Sequence, residues 1–219
     1  MVYRRLGLEP TMRTAIILAG GRSTRMKGDK GLRMLQGEPL VRHVIRRMVD
    51  RVDEVILVLG SEGQRRDYSP FVGGDVKLVV DLYGEGSPLV GAMTGLKSAS
   101  GEYALITACD MPFTPHRALE TLFEEGAGFD GAVFQWPNGW TEPLPAVYRV
   151  RPSLEKASEL YEAGDLRIRR ILQNLPNVKM IPMERLKAFD PDLLTLFDAD
   201  TEQTLSEAEK MLKNGVGNG

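Results

Sequence analysis

The sequence predicts a three-layer α/β fold with a mostly parallel central sheet, and three observations carry that prediction. Short β-branched runs alternate with helical patterns along the chain, the order that builds parallel sheets with helices on both faces. Several runs, such as Val55-Ile56-Leu57-Val58-Leu59, are continuously apolar, as strands covered on both faces must be. The chain has 219 residues, 42% hydrophobic and 26% charged, enough apolar material for one α/β domain and too much for disorder.

Residues 1–12 read as an extension, because Met12-Arg13-Thr14 directly precedes the first apolar run. Strands are expected at 14–18, 54–59, 76–80, 103–108, 131–135, 145–149 and 178–182, short and mostly apolar segments carrying β-branched or aromatic residues. A helix is expected over 40–52, where Leu40, Val41, Val44, Ile45, Met48, Val49 and Val52 share one side. The other side carries Arg42, Arg46, Arg47 and Arg51. Ser87-Pro88 before 89–99 is a helix start, with Ser as N-cap and Pro at the first helical position. Further helices are expected at 115–125, 152–162, 166–175 and 202–214. Without internal repeats or low-complexity blocks, 13–214 reads as a single domain and 215–219 as a tail. Ligands of such sheets bind at the carboxyl ends of the strands, near the point where strand order reverses.

Composition excludes several classes. No apolar run approaches the roughly 18 residues that span a bilayer, and the N-terminus lacks the apolar core of a secretory signal, so a membrane role is not expected. The single cysteine, Cys109, excludes an intrachain disulfide and a Cys-rich zinc site and suits a reducing cytoplasm. With a pI of 5.8 and 7% aromatics, nucleic acid is not an expected partner. Charge is nonetheless split: residues 1–51 hold 12 Lys/Arg and 4 Asp/Glu, and the remainder holds 16 and 26. That split hints at an anionic ligand near the N-terminal part, or at solvated helix faces and a basic tail.

The first strand runs into Ala19-Gly20-Gly21-Arg22-Ser23-Thr24-Arg25-Met26-Lys27-Gly28-Asp29-Lys30-Gly31. Glycines let backbone N–H groups approach phosphates closely, and Arg22, Arg25, Lys27 and Lys30 add cations, the composition of a polyphosphate cradle. It is neither a Walker A loop, which needs Gly-Lys-Ser/Thr, nor a complete G-x-G-x-x-G fingerprint. The bland alternative is a Gly-rich connector whose charges are merely solvated.

Leu18-Ala19-Gly20-Gly21-Arg22-Ser23-x-Arg25-Met26 followed by Asp29-Lys30 resembles the signature of the molybdenum cofactor guanylyltransferases, the MobA family, over roughly residues 13–213. The family pattern reads L-A-G-G-x-S-x-R-M-G-x-D-K, and this chain departs from it at Lys27-Gly28. The resemblance implies a Rossmann-like nucleotidyltransferase fold, with the N-terminal part binding GTP and the C-terminal part binding molybdopterin. It further implies transfer of GMP from GTP to the phosphate of molybdenum-bound molybdopterin, with pyrophosphate released. Arg25, Lys30 and Asp110 would be catalytic. Leu18, Ala19, Gly20, Gly21, Lys30, Asp81, Gly86, Pro88, Leu89 and Asp110 would contact the nucleotide.

The strand at 103–108 ends in Cys109-Asp110-Met111-Pro112, which places Asp110 at the mouth of the expected crevice; in the resembled family a C-D-x-P segment here holds the metal, Mg²⁺. Asp81 matches the family's nucleotide-contacting acid, or is an ordinary turn residue. Asp198-Ala199-Asp200-Thr201 is similar to the family's N-x-N-T segment, with Asp200 read as the cap of the last helix and Asp198 left open. Gly84-Glu85-Gly86-Ser87-Pro88-Leu89-Val90-Gly91 resembles the G-P-L-x-G segment that selects guanine, although Ser87 and Val58 depart from the usual residues. Trp140, beside Trp136 in a Pro/Gly-rich loop, is expected to stack on a pterin or base, or else to cover an apolar edge. Arg167, with Arg169 and Arg170, is expected to meet the pterin substrate, or else to form a solvated helix face. Handover contacts with other molybdenum cofactor proteins are a further expectation. The open alternatives are a related transferase (molybdopterin cytidylyltransferase or adenosylcobinamide-phosphate guanylyltransferase) and a non-catalytic nucleotide-binding regulator.

Overall fold

The computed structural model describes residues 12–20, 29–84 and 86–216. Nine strands and eight helices are found among them. The strands are β1 (Arg13–Leu18), β2 (Met34–Leu35), β3 (Glu38–Pro39), β4 (Glu54–Leu59), β5 (Val76–Val80), β6 (Tyr103–Ala108), β7 (Gly131–Gln135), β8 (Ala146–Arg149) and β9 (Val178–Pro182). The helices are α1 (Leu40–Met48), α2 (Glu62–Tyr68), α3 (Pro88–Ser98), α4 (His116–Gly126), α5 (Val150–Glu162), α6 (Arg169–Asn174), α7 (Met183–Lys187) and α8 (Glu202–Lys213).

Seven strands form one sheet in the order β5-β4-β1-β6-β8-β7-β9. Only β8 runs antiparallel to its neighbours, so the expected mostly parallel sheet is what forms. Strand order reverses at β1, which has β4 on one side and β6 on the other. Register sets three strand ends level there, because Leu18 pairs with both Val58 and Ala108.

Successive residues of β1 point to opposite faces, and both faces are dry. Ile17, Leu57 and Leu105 pack under α1, α4 and Tyr68 of α2. Ile16, Ile56 and Ile106 pack under α3, α5 and α6. Gly95 of α3 sits so near the sheet that a Cβ would lie 2.4 Å from Ile16 Cγ2. A third cluster, built on Leu35, Leu40, Phe113, Ala199 and Ala208, docks α8 against the β2–β3 hairpin. Each fully buried Leu or Ile contributes roughly 1.5–3 kcal/mol of transfer free energy.

Some boundaries differ from expectation. α1 stops at Met48, four residues before the predicted end, because Val49 is exposed while Val52 packs on the core from outside the helix. β8 begins at Ala146, and α6 begins only at Arg169. The short helices α2 and α7 were not expected: α2 reads EGQRRDY, with Tyr68 its only buried residue, and so shows little apolar periodicity. Met12 is held to the domain by its carbonyl, which accepts from Glu102 N at 3.1 Å. No helix among the described residues is long and apolar enough to cross a membrane.

Candidate active site

A cavity of about 220 Å³ opens where strand order reverses. Its wall is made of strand ends: Leu18-Ala19-Gly20 after β1, Val58 of β4, Asp81 after β5, and Ala108-Cys109-Asp110 at the end of β6. Ser87, Pro88 and Gly91 of the α3 N-terminus close one side, and Lys30 and Leu144 complete the lining. The ladder continues past the strands: Ala19 N donates to Val58 O at 2.8 Å, Cys109 N to Leu18 O at 3.0 Å, and Asp81 N to Leu59 O at 2.7 Å. These bonds fix the floor of the cavity. Close backbone approach requires glycine here, since a Cβ on Gly60 would lie 2.8 Å from Gly20 O.

The start of α3 forms as its sequence predicts. Ser87 is extended, and its hydroxyl accepts from Val90 N at 3.2 Å while Pro88 occupies the first turn. The positive end of the helix therefore faces the cavity. Leu89 sits beside Pro88, but its side chain is buried in the core under α3 instead of lining the cavity. Gly86 reaches φ +63°, a left-handed conformation natural for glycine, and passes close to Gly20. Asp81 lines the cavity, and its carboxylate also accepts from Tyr83 N at 3.0 Å, the contact of a turn residue. Gly21 and Arg25, with Arg22 and Lys27, lie outside the described residues.

Lys30 and the acids form one electrostatic cluster. Lys30 Nζ donates to Asp110 Oδ2 at 3.3 Å and lies 3.7 Å from Asp200 Oδ2. Burial disfavours its ammonium, but Asp110, Asp200 and Asp198 outweigh that and raise its pKa. Asp198 is pushed up to about 6 by burial, by its hydrogen bond with Asp200, and by the charges of Asp200 and Asp110. The segment is brought in by the backbone: Ala199 N donates to Asp110 O at 2.8 Å, while Arg33 reaches Ala199 O at 3.4 Å and Glu202 at 2.8 Å. Contrary to the expectation from sequence, Asp200 does not cap the last helix; Thr201 does, in a capping box with Thr204. That reassignment leaves Asp200 facing Lys30.

The two residues expected to meet a second substrate are not at the cavity. Arg167 is exposed and holds Asp165 through two hydrogen bonds of 2.8 and 2.7 Å, which depress the Asp165 pKa well below the ordinary carboxylate range. Trp140 is half-exposed, with Arg169 5.3 Å from its ring centroid. Arg169 thus occupies a face of the ring and links the Trp140 loop to α6. Trp136 covers the edge of the core and donates its indole N–H to Glu142 at 2.6 Å. Cys109 is the buried thiol expected of it, its pKa raised by burial first and then by Asp110 and Asp29. The lining residues that sequence reading missed are Ala108, Cys109 and Leu144; the first two stand at the end of β6, where the switch-point rule could have flagged them.

A cavity at the switch point of a parallel sheet, with a glycine floor, a helix N-terminus and a Lys–Asp pair, is the ligand site of a nucleotide-handling α/β protein, and its likeness to known proteins places that protein among the nucleotidyltransferases. Residues 15–178 match the family model for the MobA-like NTP transferase domain. The chain is 37% identical to a protein of Natronomonas pharaonis named "Probable molybdenum cofactor guanylyltransferase", over 91% of this chain and 98% of that one. It is 34% identical to the molybdenum cofactor guanylyltransferase of Desulfosudis oleivorans, over 92% and 96% respectively. Molybdopterin-guanine dinucleotide biosynthesis protein A from Archaeoglobus fulgidus superposes with a TM-score of 0.78 at 27% identity, covering 93% of this chain and all of that one. The chain belongs to the MobA-like NTP transferase family and is a nucleotidyltransferase.

Proposed function

We propose that the chain transfers GMP from GTP to the terminal phosphate of molybdenum-bound molybdopterin, forming molybdopterin guanine dinucleotide. The observation that carries this reading is the convergence of Lys30, Asp81, Asp110 and the α3 N-terminus on one cavity, in a chain so similar to proteins named for that reaction. A phosphate oxygen of molybdopterin attacks the α-phosphorus of GTP, the bond from that phosphorus to the β-bridging oxygen breaks, and pyrophosphate leaves with the electron pair. No protein nucleophile is required. Lys30 supplies positive charge where the leaving group develops negative charge, and Arg25 is its proposed companion. Backbone groups at Gly20 and the opening turn of α3 orient phosphates and base.

The donor set suits Mg²⁺. The carboxylates of Asp110, Asp198 and Asp200 are hard oxygen donors gathered near one ammonium, and burial first, then the hydrogen bond with Asp200 and the charges of Asp200 and Asp110, raise the Asp198 pKa. Mg²⁺ is commonly held by one or two carboxylates together with the substrate's own phosphates. Asp110 is the proposed ligand. Bound there, Mg²⁺ supplies charge neutralisation of the triphosphate and alignment of the α-phosphorus. Arg167 and Trp140 remain the proposed molybdopterin contacts, beyond the nucleotide cavity. The proposed setting is the cytoplasm, with the product handed to other molybdenum cofactor proteins.

The test is pyrophosphate release with GTP, CTP or ATP in the presence of molybdopterin and Mg²⁺. Release with GTP alone is expected, and Lys30→Ala should lower it by about 10²–10³-fold with the fold intact. Release only with CTP overturns the base assignment, and no release with any nucleotide overturns the reaction.

A further inference from the structure

We infer that Gln64 and Tyr68 of α2 are positioning residues that hold Lys30 in place through Asp29. The inference rests on the proposed role of Lys30. Neither side chain lines the cavity, and the two lie one turn apart on α2, four residues from each other on one face.

The Gln64 amide is used at both ends. Its oxygen accepts from Gly60 N at 2.6 Å, which fixes the orientation of the group because a backbone N–H can only donate. Its nitrogen donates to Asp29 Oδ2 and to the Ala19 carbonyl at 3.4 Å. One side chain therefore ties the exit of β1, the exit of β4 and Asp29. Tyr68 donates its hydroxyl to the other oxygen of Asp29. Its ring is fully buried and lies against the 3-10 turn Lys30–Leu32, where a Cβ on Gly31 would come within 2.4 Å of Tyr68 Oη. Burial first, and then Cys109 and Asp29, push the phenol well above its ordinary pKa, so it remains a donor.

Asp29 completes the set by accepting from Gly31 N at 3.2 Å and capping the turn that carries Lys30. Its carboxylate thus receives three donors, from Gln64, Tyr68 and Gly31. In the Asp29-Lys30 pair, the acid fixes the backbone and the base faces Asp110. Loss of a donor moves Lys30 without touching any reacting atom, and a displacement of ~1 Å at a charge-stabilising group can cost up to ~10²-fold in rate.

The experiment measures kcat, nucleotide affinity by calorimetry and thermal midpoint for Tyr68→Phe, Gln64→Ala, Gln64→Glu and Lys30→Ala. The double variants Tyr68→Phe/Lys30→Ala and Gln64→Ala/Lys30→Ala complete the set. Tyr68→Phe keeps the ring that fills the core. Gln64→Glu keeps the acceptor for Gly60 but sets a second carboxylate against Asp29. The expected result is a kcat about 10-fold lower in Tyr68→Phe and Gln64→Ala, lower still in Gln64→Glu, with GTP affinity within about threefold of wild type. Neither substitution should cost anything further once Lys30 is absent. A purely structural role would instead lower the thermal midpoint, leave kcat unchanged well below it, and add its effects to those of Lys30→Ala; either of the last two results overturns the inference. Impaired Lys30→Ala beside normal Tyr68→Phe and Gln64→Ala overturns the positioning role alone. Wild-type turnover in Lys30→Ala overturns the reading of Lys30, and the inference with it.

Discussion

Replacing Asp198 by Asn removes one charge from the acid cluster while keeping nearly the same side-chain shape. Burial, the hydrogen bond with Asp200 and the charges of Asp200 and Asp110 raise the Asp198 pKa from 3.8 to about 6, against the pull of Lys30. A carboxyl that keeps its proton more tightly when folded contributes stability below its unfolded pKa, and that contribution is lost as pH rises through about 6. At ~1.4 kcal/mol per pH unit the ceiling is ~3 kcal/mol, and solvent exposure of Asp198 reduces the expected effect to about 1 kcal/mol. Asp198→Asn should therefore match wild type near pH 3.5 and gain stability from there upward. Above about pH 6.5 the gain should be level, at ~2–4 °C in thermal midpoint. Thermal unfolding in EDTA at four pH values between about 4 and 7.5 measures it. A gain that is flat with pH, or largest at acid pH, refutes the electrostatic account of the cluster. Magnesium sharpens the test: it should raise the wild-type midpoint at pH 7.5 more than the Asp198→Asn midpoint.

Gly95→Ala should destabilise the fold by about 1–3 kcal/mol although Ala is the better helix former by ~1 kcal/mol, because the new methyl would sit 2.4 Å from Ile16 Cγ2 and β1 is paired on both sides. A lower urea midpoint with unchanged slope shows this, and a raised midpoint would mean that α3 can lift from the sheet. Arg167→Ala should raise KM for molybdopterin about tenfold and leave KM for GTP unchanged, as expected for one lost charge-assisted contact outside the nucleotide cavity. An unaltered molybdopterin KM would leave Arg167 only its clamp on Asp165.

The fold was legible wherever burial on both faces forced a continuous apolar run. β4, β6 and β7 form over the ranges their sequences mark and are buried nearly throughout. The edge strands β5 and β9 match their ranges although each carries a lysine and is only partly buried. Where an element is held by few apolar residues, the pattern is silent: α2 is anchored by one tyrosine, and α7 by Met183 and Leu186. The site divides along the same line. Strand-end residues such as Ala19 and Asp110 could be placed from local sequence, since a parallel strand fixes where its end lies. The contacts of Asp29 with Gln64 and Tyr68 span 35 and 39 residues, and Lys30 meets Asp200 across the chain, so no local pattern announces them. Asp200 was misread for a related reason. Two residues in a row, Asp200 and Thr201, can each cap a helix, and only the docking of Ala199 on Asp110 decides between them.

The charge split along the sequence takes its meaning from that long-range contact. Lys30 comes from the basic first quarter of the chain, whereas Asp110, Asp198 and Asp200 come from the acidic remainder. One ammonium stands among three carboxylates, so an anionic ligand that draws Lys30 toward itself leaves those carboxylates with less compensation. Their affinity for a cation must then rise. By linkage, a cation on the carboxylates loosens Lys30 and raises affinity for the anion by the same factor. A nucleotide triphosphate and a divalent ion are therefore expected to bind this site cooperatively, even where they share no direct contact. Asp198→Asn should weaken that coupling, because it removes one of the charges through which the two ligands communicate.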